Sequence, residues 1–507
     1  MPIVIRDFRF SSISKTAILF LLVLIAVVAY RFHVLNVFGF VYTDTDQSLM
    51  WLGTTDYAAG EFHEPRYYGQ DYNSMLEPLL AVPLYWCGIP LYKALPVVTT
   101  LLTLFPFIVL AFLTFRKRSE VAGILILLIP LLLPLEYDLI TSLPRGFVTG
   151  IAISTGCLAA LFYPGSRKAF FLAGICCVLG YSLNANAVIV SIPCLLYLFV
   201  LNLKNRDFYL FCGAGMLIGA IVHVAAGSFY SNRPGYIVHT YTLTYELKYL
   251  LAGLSHLDAF FNPVIPVFRK MGYLVLPLFL LLAFLLYRKK EKAAALSLFI
   301  VPFLLIATLG ISKVHDGGPS AFLSLSRMYL GIPVLFAIGI SFLDFRPKYW
   351  QLVFLVLPAL LTFRKTRDEK SGIDREILEN NVLSILEVTR LTDECKNLDK
   401  LSKENGVDLI VISNHWHYDF YAYGCPACEK QFPKTLRPDL DRRAWRIRET
   451  ENKVYGTIMV IDNQRMLDEE YPFVEKMENL QFGFLIHENK LPTRALMDSL
   501  EIPMRKY

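Results

Sequence analysis

Long apolar stretches separated by short basic loops fill the first 363 residues, and the chain then turns to a mixed pattern of apolar and charged positions. A membrane span takes about 20 mostly apolar residues. Eleven windows approach that requirement, near 16–38, 91–115, 121–136, 146–163, 169–185, 186–203, 208–227, 271–287, 293–311, 327–343 and 349–363. The first is not a cleaved signal, because its apolar run is long and Arg31-Phe32-His33 follows it in place of small residues. Arg6, Arg9 and Lys15 precede it. Every second window ends at a short basic loop: Arg116-Lys117-Arg118, Arg167-Lys168, Lys204 and Arg206, Arg288-Lys289-Lys290, Arg346 and Lys348. The bias of Lys and Arg toward cytoplasmic loops makes these loops cytoplasmic. The loops near 39–90 and 228–270 then face outward, and the odd count places the C-terminal part outside. Arg364-Lys365-Thr366-Arg367 is basic on that side and runs against this orientation.

Beyond Phe363 the period changes. Residues 375–404 carry Ile377, Val382, Ile385, Leu386, Leu391, Leu398 and Leu401 at helical spacing. Val407–Ser413, Tyr455–Ile461 and Phe482–Ile486 read as strands, with helical patterns near 465–479 and 492–501. This alternation predicts a small α/β domain with a largely parallel sheet. The expected fold class is a polytopic α-helical membrane protein of about eleven spans with a small C-terminal α/β soluble domain, divided as 1–363 and 364–507.

Charge supports the division. Residues 1–363 hold 43 charged residues and 364–507 hold 49. Over all 507 residues, 55% are hydrophobic and 18% charged, where an ordinary soluble protein has about a quarter charged. A wholly soluble chain and a disordered one are excluded. The net charge of +6 sits mostly in short loops, so nucleic acid is not an expected partner. Cys87, Cys157, Cys176, Cys177, Cys194 and Cys212 lie in apolar stretches and read as small buried residues.

In this topology 12 of the 17 acidic residues of 1–363 face outward, seven of them in the loop 39–90. There the chain reads Asp44-Thr-Asp46-Gln47, then His63-Glu-Pro-Arg66-Tyr-Tyr68-Gly-Gln70-Asp-Tyr72, then Leu76-Glu77-Pro78. Segments 48–59 and 75–88 read as helices lying on the membrane surface. They hold Asp44, Asp46 and Glu77 over one patch at the lipid boundary. Such a patch suits sugar transfer from a lipid phosphate. An acceptor hydroxyl needs a carboxylate within hydrogen-bond reach to take its proton. The departing phosphate needs cations, or a metal, to offset its charge. One base with no partner nucleophile implies direct displacement with inversion. The competing roles are a helix N-cap for Asp46, an Asx-turn for Asp44, and a helix-dipole contact for Glu77.

With an Asp just after the first span, Tyr68-Gly69-Gln70-Asp71-Tyr72, Leu76-Glu77, and later Ser326-Arg327-Met328-Tyr329-Leu330-Gly-Ile-Pro333, the chain resembles the GT-C superfamily of polyprenyl-phosphate-sugar-dependent glycosyltransferases. The resemblance is to the branch of bacterial protein O-mannosyltransferase relatives and lipid A aminoarabinose transferases. It implies a GT-C-like membrane catalytic domain over 1–363 that uses a polyprenyl-phosphate sugar donor. It implies Asp46 as catalytic base, Glu77 as a second acidic position that supports a metal or orients the acceptor, and Arg327 on the donor phosphate. Gln47 stands where the family's common pair has Glu, and Asp44 is placed to take over that role. A divalent ion (Mg, Mn or Zn) held by Glu77 and Asp44 is the one cofactor this implies. Arg145 and Arg66 are further phosphate candidates. Tyr68, Gln70 and Tyr72 are expected to bind substrate. His239, in the Tyr- and His-rich loop 228–270, is expected to wall the donor or acceptor.

In the C-terminal domain, His415-Trp-His417 and Cys425-Pro-Ala-Cys428 form the one constellation. Cys425 and Cys428 make either a short disulfide or, with the histidines, a zinc site. The expected activity is sugar transfer at the outer face of a bacterial inner (plasma) membrane, with an extracytoplasmic C-terminal domain. The acceptor is a lipid, polysaccharide or protein. The rival readings are a non-enzymatic transporter of polyprenyl-linked glycolipid and an inactive relative that binds glycolipid.

Overall fold

The computed structural model describes residues 15–239, 243–268, 270–318, 321–343, 386–413, 419–429, 431–462, 475–476 and 483–506. Ten of the eleven apolar windows fall on helical segments; the eleventh, 349–363, lies outside the described residues. The helices are α1 Lys15–Val34, α2 Thr45–Ala58, α3 Leu76–Trp86, α4 Leu91–Lys117, α5 Glu120–Leu132, α6 Leu135–Ile140, α7 Thr149–Ala160, α8 Arg167–Leu183, α9 Val188–Leu201, α10 Arg206–Ser231, α11 Leu247–Ser255, α12 Leu257–Phe261, α13 Val275–Arg288, α14 Lys292–Phe299, α15 Val301–Thr308 and α16 Ile332–Ser341. Three helical stretches, Lys15–Gly39, Leu91–Lys117 and Arg206–Ser231, are long and apolar enough to cross a membrane, and six shorter apolar ones accompany them. The protein is a helical membrane protein.

Small residues let the helices close up. A Cβ on Gly174 of α8 would collide with the Cys212 carbonyl of α10, and one on Gly215 of α10 with the Phe171 carbonyl of α8. Van der Waals contact between backbones replaces the hydrophobic drive that lipid does not supply. Polar pairs pin other crossings. Arg31 of α1 bonds to Asp138 of α6, and its Nη2 donates to Thr141 Oγ1 at 2.9 Å; Arg31 and Asp138 are both buried.

α2 and α3 form where surface helices were expected, but α2 does not lie open on a surface. Leu49, Met50, Trp51 and Leu52 are buried in a core shared with the C-terminal residues. α3 does expose Leu79, Leu80 and Trp86.

From residue 386 the chain folds back onto this region. Strand β1 (Tyr42–Thr43) pairs antiparallel with β2 (Leu386–Glu387), directly before Asp44. Helices α17 Val388–Glu404 and α18 Asp419–Cys428 follow, then α19 Ala444–Thr450 and α20 Thr493–Ser499. Strands β3 Leu409–Ser413, β4 Lys434–Leu436, β5 Thr457–Asp462, β6 Glu475–Lys476 and β7 Gly483–Glu488 make one sheet in the order β4-β3-β5-β7-β6. β3 is buried along its whole length and apolar up to Ser413, as a central strand between parallel partners requires. The sheet is mixed rather than largely parallel. β7 runs antiparallel to β5, and β6 pairs with β7 at positions read from the sequence as part of a helix. The rest of the expected 465–479 helix lies outside the described residues.

Candidate functional site

Asp44 has extended backbone (φ −142°, ψ −179°), and its Oδ1 accepts the Gln47 N–H at 2.9 Å as the N-cap of α2. Its Oδ2 takes the guanidinium of Arg145, and both side chains are buried. The cap places Asp46 in the first turn with its side chain partly exposed. Asp46 Oδ2 lies 3.8 Å from Arg145 Nη2, and Oδ1 accepts from Arg442 Nη1 at 2.5 Å. Tyr67 Oη donates to the Asp46 carbonyl at 2.8 Å. The two acids thus separate by role: Asp44 is structural and Asp46 is presented.

Arg145 and Asp46 line a cavity of about 230 Å³ with Arg66, Gln70, Tyr72, Lys313, Asp316 and Arg327. Four cationic side chains against two carboxylates leave its lining net positive. Arg327 bonds to the Asp316 carbonyl and has its carboxylate 3.6 Å away. Lys313 Nζ donates to Asp316 Oδ2 at 2.6 Å and stands 5.4 Å from the Tyr72 ring centre. Burial works against the Asp316 charge, yet Lys313 and Arg327 hold its carboxyl below the usual range. Arg66 bonds to the Asp71 carbonyl, and its Nη2 lies 3.5 Å from His223 Nδ1. Gln70 Oε1 is buried and has no hydrogen-bond partner among the described residues. Burial, with Arg327 and Arg442 nearby, lowers the Arg145 pKa to about 9. Its partner in the structure is the buried Asp44 carboxylate.

An apolar groove of about 600 Å³ adjoins this cavity and shares Arg66, Asn73 and Ser182 with it. Its walls are Ile153 of α7, Leu179 and Leu183 of α8, and Ile221, Val222 and Ala225 of α10.

The remaining expected residues lie elsewhere. Glu77 is fully buried beneath the cavity. Its Oε2 accepts the Gly146 N–H at 2.6 Å and its Oε1 the Thr99 hydroxyl at 3.1 Å. Burial raises its pKa to about 7. Glu77 fixes the backbone next to Arg145 and does not face the cavity. Glu77 and Asp44 therefore do not fit a shared metal ion, because both Asp44 oxygens and both Glu77 oxygens already have protein partners. A different trio, Asp56, Glu61 and His63, brings its ligand atoms within 4.8 Å of one another. Tyr68 points away from the cavity. Its hydroxyl donates to Asp56 at 2.9 Å, and its ring meets Trp445 edge-on at 4.7 Å. His239 joins the site through its backbone, since Gly69 O accepts the Val238 and His239 N–H groups at 2.9 and 3.1 Å. Burial, then Arg442, pushes its imidazole down to about 4, so it is neutral.

The Cys425–Cys428 pairing is corrected. Cys425 is joined to Cys395, with Cα atoms 5.1 Å apart, and Cys428 is a free thiol. Cys425 faces α17 across the α17–α18 contact. The signal lay in the helical stripe: Cys395 continues Leu391-Cys395-Leu398 on one face. The bridge also removes Cys425 from any zinc set; His415 and His417 lie outside the described residues. Arg442 escaped the sequence altogether. Asp439-Leu-Asp441-Arg442-Arg443 is a run of charges in which nothing local marks Arg442 as the partner of Asp46.

A charged cavity and an apolar groove thus meet at Arg66. No protein-family profile and no curated protein sequence matches the chain. Among solved structures it is similar to the crystal structure of ArnT from Cupriavidus metallidurans bound to undecaprenyl phosphate. The TM-score is 0.56 at 12% identity, covering 93% of this chain and 98% of that one. The likeness is one of fold, and it supports the GT-C architecture that the motifs resemble.

Proposed function

We propose that the protein is a membrane glycosyltransferase that moves one sugar from a polyprenyl-phosphate carrier to an acceptor hydroxyl. The observation that carries this reading is the junction of two unlike spaces. A cationic cavity around Asp46 opens beside an apolar groove between helices, with Arg66 on the boundary. An amphiphile with an anionic head and a long apolar tail satisfies both. The cavity is below the roughly 300 Å³ at which drug-sized sites begin, so it is sized for one head group.

In the proposed reaction the acceptor oxygen attacks the anomeric carbon while Asp46 takes its proton. The bond from that carbon to the phosphate oxygen breaks, and the electron pair leaves with the carrier phosphate. Arg66, Arg327 and Lys313 offset the charge that develops there, and Gln70 and Tyr72 contact the head group. Attack opposite the leaving group inverts the anomeric centre. The Cys395–Cys425 disulfide favours an oxidising compartment, hence the outer face of a bacterial inner membrane, with a lipid, polysaccharide or protein as acceptor. The test is incubation of purified protein with a panel of undecaprenyl-phosphate-linked sugars. Release of undecaprenyl phosphate, abolished in a folded Asp46→Asn variant, is the expected result. A bound donor that is never cleaved would instead indicate a carrier or binding protein, and retention at the product's anomeric carbon would exclude direct displacement.

A further inference from the structure

The Asp46 carboxylate is held by a side chain 396 positions further along the chain. The turn that carries Arg442 is built around a buried ion pair. Asp441 Oδ2 accepts from Arg443 Nη2 at 2.7 Å and from the Arg437 N–H at 2.9 Å. Its Oδ1 accepts the Arg443 N–H and Nε–H, both at 2.9 Å. Arg443 continues to the Thr435 carbonyl on β4 at 3.0 Å. Both members are buried and every contact is short, so the turn that carries Arg442 is tied to β4 independently of Asp46. Tyr423 Oη then accepts the Arg442 N–H at 3.2 Å. The opposing loop is shaped for this approach. Gly69 sits at φ +76°, and a Cβ there would come within 2.8 Å of the Arg442 Cβ.

The contact takes only one oxygen of Asp46. Among the described residues Oδ2 makes no hydrogen bond, with Arg145 Nη2 3.8 Å off. Burial disfavours the Arg442 charge, yet Asp46, Tyr67 and Tyr423 more than offset it and raise the Arg442 pKa. The other groups facing Asp46 are Arg145, Arg327, Tyr67 and His239. Arg145 is taken up by Asp44 and Arg327 by Asp316, and His239 is neutral. Tyr67 donates to the Asp46 backbone carbonyl at 2.8 Å and, more weakly, to the same Oδ1 at 3.4 Å, so it too leaves Oδ2 open.

We infer that Arg442 is a positioning residue for the proposed transfer: it fixes the Asp46 carboxylate through Oδ1 and leaves Oδ2 as the atom that takes the acceptor's proton. The site is then complete only with the C-terminal residues, whose helix α18 packs on α2, in place. This inference rests on the reading of Asp46 as the base.

The test uses full-length wild type, Arg442→Ala, Arg442→Lys and Asp46→Asn in detergent, with undecaprenyl-phosphate-linked sugars as donors and release of undecaprenyl phosphate as the readout. Loss of a carboxylate's orientation costs on the order of 100-fold, so Arg442→Ala lowers kcat by about that factor with an unchanged donor KM. Millimolar guanidinium restores part of the rate to Arg442→Ala and none to Asp46→Asn. A merely structural role would not respond to guanidinium. Wild-type kcat in Arg442→Ala, or a loss that guanidinium leaves untouched, overturns the role of Arg442 while an inactive Asp46→Asn keeps the transferase reading. Absence of release by wild type from every donor overturns both. Where the Ala variant does not fold, Arg442→Lys decides. It keeps the charge and stem but not the planar fork, and a lowered kcat at wild-type thermal stability is expected, whereas wild-type kcat overturns the inference.

Discussion

Asp44 caps α2 with one carboxylate oxygen and clamps Arg145 with the other, so the helix that presents Asp46 and the cation beside it are fixed by a single side chain. Breaking a buried pair by removing one partner strands the other charge, at a cost of about 3–5 kcal/mol. Asp44→Asn retains a capping oxygen and loses only the ion pair. Thermal unfolding is expected to show Asp44→Asn and Arg145→Met each strongly destabilised. The double variant should lose clearly less than the sum, because it strands no charge. Additive losses would mean that the two residues do not act as a pair.

Glu77 gives the site a pH-dependent support. Its pKa is raised by burial from 4.5 to about 7 in the folded protein. Between those values the folded state keeps a proton that the unfolded chain has released. The stabilisation is therefore complete below pH 4.5 and lost as pH rises through about 7. Glu77→Gln keeps an acceptor for the Gly146 N–H and has no such dependence. The stability of wild type relative to Glu77→Gln should fall between pH 5 and pH 8 by up to about 3 kcal/mol. Melting curves of both proteins across that range measure it, and a constant difference would refute it.

The membrane part of this fold was legible because lipid imposes a strong rule: backbone groups must be satisfied within helices, so apolar windows and helices coincide. The sequence marks loop 39–90 as a dense charged stretch, and four of its residues, Asp46, Arg66, Gln70 and Tyr72, line one cavity with Arg145 and Arg327. Individual roles were less so. Asp44 and Asp46 are two residues apart, and only the backbone at Asp44 reveals which one caps the helix. Glu77 sits beside a Pro in a helix start that suits an exposed acid equally well, and its burial comes from Thr99 and Gly146 closing over it. Arg442 depends on a contact between distant segments that no local pattern encodes, and the helical stripe marks Cys395 as buried without marking Cys425 as its partner.

The disulfide joins α17 to α18, and α18 packs on α2 in the core shared with Trp51. In a chain-entropy account a 30-residue separation corresponds to roughly 3–4 kcal/mol. Cys395→Ser and Cys425→Ser are each expected to lower thermal stability, and Cys428→Ser to leave it unchanged. Peptide mapping of the non-reduced protein should recover a fragment linking 395 to 425. A fragment closed between 425 and 428 would refute the pairing.

The junction of cavity and groove yields two separable variants. Arg66 stands where both spaces meet, so Arg66→Ala removes charge-assisted hydrogen bonding to a lipid phosphate, worth about 1.5–3 kcal/mol, or roughly a 10- to 100-fold rise in the Kd for undecaprenyl phosphate. Ala225→Trp fills the groove without removing a charged group and should weaken binding of the same lipid by excluding its tail. The two losses differ in character. The Arg66→Ala defect concerns the head group and should appear equally with a short-chain prenyl phosphate. The Ala225→Trp defect should shrink as the chain is shortened, because less tail remains to be excluded. Titration of both variants with prenyl phosphates of several lengths makes the comparison. Equal sensitivity of the two variants to chain length would mean that head and tail are not divided between these spaces.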